Sequence, residues 1–126
     1  MPEIEDCLRR VMAIRGALGA RLIDHVSGTT VAAAGTPAES GHDIDAPGPV
    51  EVVRTAVGSA AFAPPARPGH LEDIVITASN GYHVLHFVVT PRDARLVLYV
   101  RLDRTVGNLA ITQHSLRAIG RSLVSA

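Results

Sequence analysis

Asp24, His25 and Ser27 lie within four positions of one another and supply the residue types of a hydrolytic triad. A nucleophile, its base and the acid that orients the base usually come from distant segments, because neighbours in one turn seldom align for proton transfer. The same residues are those that turns favour, and turn chemistry explains them without catalysis. Just upstream, Gly16 and Gly19 form a G-x-x-G. A phosphate-cradling loop needs a strand before its glycines and a helix after them, so that helix N–H groups face the anion. Here the order is helix, glycines, strand, which predicts a helix stop and a tight strand entry.

Six histidines raise the question of a metal. His83 and His86 are three apart on a predicted strand and so point to opposite faces. His42, Asp43 and Asp45 share a loop without a recognised ligand spacing, and His114 stands alone beside Ser115. His83 and His86 read more simply as strand residues with local hydrogen-bond partners. Cys7 is the sole cysteine, has no disulfide or zinc partner, and falls on the apolar side of the first helix. No catalytic residue, metal or cofactor is assigned from these residues.

The elements that position them follow from periodicity. Ile4, Cys7, Leu8, Val11 and Ile14 recur at helical spacing over residues 3–15, with acids leading and arginines closing the segment. "GARLID" and "TTVAAAG" read as a hairpin around "DHVSG". A polar loop over 35–48 leads into a helix over 49–62, with Pro49 suited to its first turn. Three strands follow: "LEDIVITA", "YHVLHFVVT" and "ARLVLYVRL", the first two joined with Asn80-Gly81 in the turn. Val106, Leu109, Leu116, Ile119 and Leu123 mark a last helix that Asp103 or Thr105 could cap. The predicted fold is α+β, with order α-β-β-α-β-β-β-α in a single domain over residues 1–126.

Composition narrows the function classes. Twelve basic residues, all arginine, balance twelve acidic ones, which argues against a nucleic-acid binder. The N-terminus is acidic where a secretory signal is basic, and no apolar run approaches membrane-spanning length. A soluble, cytoplasmic domain without membrane insertion is the expectation.

Two features remain. The second and third of the late strands are apolar on both faces and therefore require helices on both sides of the sheet. "LEDIVITA" instead keeps Glu72 and Asp73, a mark of an edge strand. In the middle helix, Val50, Val53, Val57, Ala60 and Ala61 share one face, and the opposite face of Val52, Thr55, Ala56 and Ser59 carries no charge. A helix without a strongly polar side is covered on more than one side, either by the chain's own loops or by a second copy. The second option predicts a homodimer. Leu71, Glu72, Asp73, Ile74, Val75 and Ile76 would pair with their copies across a two-fold axis, and the two middle helices would pack beside that join.

The chain resembles the roadblock domain, the dynein light chain type also found in bacterial regulators of small Ras-like GTPases. The resemblance rests on "IRGALGARLIDHVSG", "VEVVRTAV", "LEDIVIT" with "NGYHVL", and "LYVRLDRTVGNLAITQHSLRAI" in their order and spacing. It implies a five-stranded antiparallel sheet with the middle helix on one face and the terminal helices on the other. It also implies homodimerisation through Leu71 to Ala78 and Pro49 to Phe62, and a scaffolding or GTPase-regulating role. Departures from similar domains are Pro47-Gly48-Pro49 and the proline-rich "APPARPG". The expected function is a non-catalytic homodimeric adaptor for a small Ras-like GTPase. The alternative is a small-molecule or metal sensor, or a weak enzyme, with a cleft lined by His42, Asp43, Asp45, His83 or His114.

Overall fold

A computed structural model of the chain describes residues 2–35, 47–62, 71–89 and 95–125. Its elements are α1 (Pro2–Met12), β1 (Ala17–Asp24), β2 (Thr29–Gly35), α2 (Gly48–Val57), β3 (Asp73–Ala78), β4 (Gly81–Val88), β5 (Leu96–Leu102) and α3 (Leu109–Ser125). The strands form one antiparallel sheet in the order β2-β1-β5-β4-β3. The element order and the edge position of β3 agree with the sequence reading.

Alternation along the strands divides the core in two. Ala20, Leu22, Val84, Val88, Leu98 and Val100 pack against Cys7, Leu8 and Val11 of α1 and Leu116 and Ile119 of α3. On the opposite face, Leu85, Phe87 and Val97 meet Val53 of α2. Each fully buried Leu or Val contributes about 1.5–3 kcal/mol of transfer free energy, so the larger α1/α3 layer dominates stability. The β1–β2 ladder slips where Leu22 faces Ala32 but Ile23 faces Thr30, leaving Val31 as the extra residue of a bulge.

Helix ends differ from the periodic pattern because local hydrogen bonds compete with it. The first helix stops at Met12, and Ile14 N–H turns back to the Val11 carbonyl at 3.0 Å. Gly16 then adopts φ 91° and passes the chain to β1. In α2, Gly58 N–H still reaches the Arg54 carbonyl, but Ser59 Oγ accepts the Ala61 N–H and bends the chain away. Ala60 and Ala61 are therefore exposed turn residues rather than part of the Val50–Val53 face, and Val57 is itself exposed. The cap of α3 is Asn108, whose Oδ1 accepts the Ile111 N–H at 2.9 Å. Asp103 instead accepts from Thr105 and Val106 N–H in a preceding turn, so Val106 lies outside the helix.

The β3–β4 turn also differs. Ala78 faces Gly81, which makes Ser79 and Asn80 the turn residues and places Gly81 in the strand. No non-glycine residue among those described has a positive φ. Gly81 is needed for close approach: a Cβ there would sit 2.8 Å from the Leu102 carbonyl oxygen. Among the described residues no helix is long and apolar enough to cross a membrane.

Candidate functional site

The outer side of β3 is the open margin of the sheet. Residues 73 and 86 are opposite each other, and Phe87 N–H donates to the Glu72 carbonyl at 2.9 Å. Antiparallel hydrogen bonding alternates along a strand, so the backbone groups of Glu72, Ile74, Ile76 and Ala78 turn inward to β4. Those of Asp73, Val75 and Thr77 turn outward. β3 has no other strand neighbour among the described residues. Along residues 71–76, Glu72 and Ile76 are exposed while Leu71, Asp73, Ile74 and Val75 are half-buried.

Beside this margin, on the α2 face, lies an open groove of about 260 Å³ lined by Pro49, Val52, Ile76, His83, Leu85 and Tyr99. Pro47 precedes α2, and its carbonyl accepts the Glu51 N–H, which sets the first turn at the groove. At the far end Arg54 donates to the carbonyls of His25 and Val26, both at 3.0 Å, and fastens the helix to the β1–β2 turn. Val52, Ala56 and Ser59 are half-buried and Thr55 is exposed. Val52 thus leans toward the groove that Ile76 borders, whereas Thr55, Ala56 and Ser59 do not line it.

Polar groups floor one side of the groove. His83 Nδ1 and the Tyr99 hydroxyl are hydrogen-bonded at 2.8 Å, and the Arg21 guanidinium stands 5.4 Å over the Tyr99 ring. Burial, aided by the Arg101 charge, lowers the His83 pKa and keeps the imidazole neutral at pH 7. Burial raises the Tyr99 pKa against the pull of Arg21 and Arg101, so the phenol keeps its proton. A neutral imidazole, a phenol and apolar walls suit the burial of another apolar surface.

The triad-like residues form a turn. Asp24 Oδ1 accepts the Val26 and Ser27 N–H groups, its Oδ2 accepts from Arg95 Nε at 2.8 Å, and Ser27 Oγ pairs with Thr29 Oγ1. The His25 ring meets Phe87 edge-on at 6.0 Å. Among the described residues no three His, Cys, Asp or Glu side chains converge as a metal site. His83 lies on the α2 face and His114 is exposed on α3 across the sheet, so they share no cleft. His42, Asp43, Asp45 and the 63–69 proline segment lie outside the described residues.

Sequence reasoning missed one cluster. Asp73 is not a solvated edge charge: its side chain is 12% exposed and its Oδ1 accepts from His86 Nδ1 at 2.7 Å. Gln113 Nε2 and Arg117 Nη2 approach the other oxygen at 3.4 and 3.8 Å. Pairing of residue 73 with residue 86 follows from a two-residue turn at 79–80, which was the available signal.

No family model matches the sequence, and no curated protein matches it. Solved structures do. The gliding protein MglB from Thermus thermophilus aligns over 98% of this chain and 87% of its own, with TM-score 0.75 and 15% identity. MglB with a tetrameric arrangement aligns over 98% and 86%, with TM-score 0.73 and 16% identity. A Roadblock/LC7 domain from Streptomyces avermitilis aligns over 91% and 88%, with TM-score 0.66 and 14% identity. At such identities the likeness is one of architecture: the chain has the fold of the roadblock domain.

Proposed function

We propose that the chain is a non-catalytic homodimeric adaptor that binds and regulates a small Ras-like GTPase in the cytoplasm. The observation that carries this reading is the free β3 margin lying directly beside an apolar groove that Val52 of α2 and Ile76 of β3 share. The roadblock fold, shared with an MglB of tetrameric arrangement, supports self-association and a regulatory role.

In the proposed dimer the outward groups of β3 pair across the two-fold axis. With Val75 on the two-fold axis, Val75 meets its copy and Asp73 meets the partner's Thr77, so every outward N–H and C=O finds a partner. In that register Ile74 faces the partner's Ile76 on the α2 face, which covers the side chains exposed at the groove's border. Moving the axis onto Ile74 or Ile76 keeps outward residues opposite outward residues but carries Thr77 or Asp73 past the end of the partner's β3. The two α2 helices then stand on the same face of a continuous sheet and present one composite platform.

Such a platform acts on a GTPase by binding one switch conformation better than the other, shifting the equilibrium by the difference in affinity. Titration against small Ras-like GTPases encoded near this chain, in their GDP and GTP forms, tests it. A preference for one nucleotide form is the expected result, and binding to neither removes the regulatory role.

A further inference from the structure

The Asp73 carboxylate is held unevenly by donors of its own chain. Its Oδ1 accepts from His86 Nδ1 at 2.7 Å, whereas Oδ2 has Gln113 Nε2 at 3.4 Å and Arg117 Nη2 at 3.8 Å. The first of these two contacts is at the outer limit of a hydrogen bond and the second lies beyond it. A carboxylate offers about four lone-pair sites, so Oδ2 keeps room for a further donor.

The same strand carries a donor with nothing to bind. Asp73 meets α3, Val75 packs into the α1/α3 layer, and Thr77 lies opposite Tyr82 of that layer, so all three side chains share the α3 face. Thr77 is exposed, and among the described residues no hydrogen bond engages its hydroxyl. Four positions of extended chain span about 13 Å, so Thr77 and Asp73 of one protomer cannot meet.

An antiparallel copy brings them together. With Val75 on the two-fold axis, Asp73 and the partner's Thr77 are directly opposite, their Cα atoms about 5.5 Å apart and their side chains on one face. A hydroxyl and a carboxylate oxygen span the gap between opposed Cβ atoms, which is about 4.5–5.5 Å. An axis on Ile74 sets Asp73 against the partner's Val75, and an axis on Ile76 sets Thr77 against it, so neither polar group gains. We propose, resting on the homodimer reading above, that the partner's Thr77 donates its hydroxyl proton to Asp73 Oδ2. The bond is made twice about the axis, specifies the register, and selects a second copy of this chain over strands without a hydroxyl at that position. A strand with an apolar residue there would cover the carboxylate without supplying its missing donor, which carries a desolvation penalty.

Sedimentation equilibrium of the parent, Thr77→Val, Thr77→Ser and Asp73→Asn chains tests the bond. Valine matches threonine in shape and is equally suited to a strand, so a purely steric role for Thr77 leaves dimerisation unchanged by Thr77→Val. The hydroxyl role predicts dimerisation about a hundredfold weaker, about tenfold for each of two bonds to a carboxylate, with Thr77→Ser regaining most of the loss. In the Asp73→Asn background the cost of Thr77→Val should fall to about tenfold, because a neutral acceptor holds a donor about half as strongly. Diluted until monomeric, the parent and Thr77→Val chains should melt alike, since Thr77 is exposed in the protomer. A parent chain monomeric at concentrations on the order of tens of micromolar overturns the dimer reading and this bond with it. A dimeric parent matched by Thr77→Val, a Thr77→Ser chain no better than Thr77→Val, or a cost unchanged by Asp73→Asn overturns the bond alone and leaves the dimer standing.

Discussion

Thr77→Pro separates the sheet margin from the sheet. Thr77 is exposed and its N–H turns outward, so proline at this position removes no bond of the β3–β4 ladder. In the proposed dimer the same N–H donates to the partner's Asp73 carbonyl, and by symmetry each protomer loses one such bond. Each is worth about 0.5–1.5 kcal/mol, and an acceptor stranded in the join adds to the cost. The sum, about 2–4 kcal/mol, weakens dimerisation by roughly 30- to 1,000-fold. Ile76→Pro is the counterpart, because its N–H turns inward to β4 opposite His83. It should destabilise the protomer itself. Sedimentation equilibrium across a concentration series, paired with thermal melts, reads both quantities. A Thr77→Pro variant that dimerises like the parent chain refutes pairing through β3. A parent chain that is monomeric at concentrations on the order of tens of micromolar refutes the dimer altogether.

Arg54→Ala should cost about 1–2 kcal/mol by deleting the two 3.0 Å bonds to the His25 and Val26 carbonyls, seen as a fall of roughly 3–6 °C in melting temperature. The Cys7 thiol, buried on α1 and raised in pKa by that burial, should react with a disulfide reagent only in denaturant. For His83 the folded pKa lies below that of the unfolded chain, so its contribution to stability is constant above about pH 6.5. As pH falls below that, the unfolded chain takes up the proton first and stability declines. Urea midpoints at about pH 7 and about pH 5.5 should differ less for His83→Gln than for the parent chain.

The layers of the fold were legible because they depend on period alone. Two-sided apolar strands in β4 and β5 demanded helices on both faces, and α1 with α3 on one side and α2 on the other meet that demand. Helix ends were less legible because single side chains set them. Ser59 and Asn108 each satisfy a backbone group that the hydrophobic pattern does not register. The turn at 79–80 is more instructive. Placing Asn80-Gly81 in it slides β3 along β4 by two residues, which preserves every face but sets Asp73 opposite Val88 instead of His86. The groove beside α2 was half visible, as an uncharged helix side and an edge strand, but its His83–Tyr99 floor depends on a diagonal contact that strand order alone supplies.

The sheet's other border behaves differently. Val31 bulges out of β2 and breaks its ladder, whereas the β3–β4 register runs without a shift. A protein with two equally receptive rims would add copies end to end without limit. In the proposed dimer, pairing through β3 alone stops lateral growth at a pair, and the extra residue in β2 keeps the other rim from extending it.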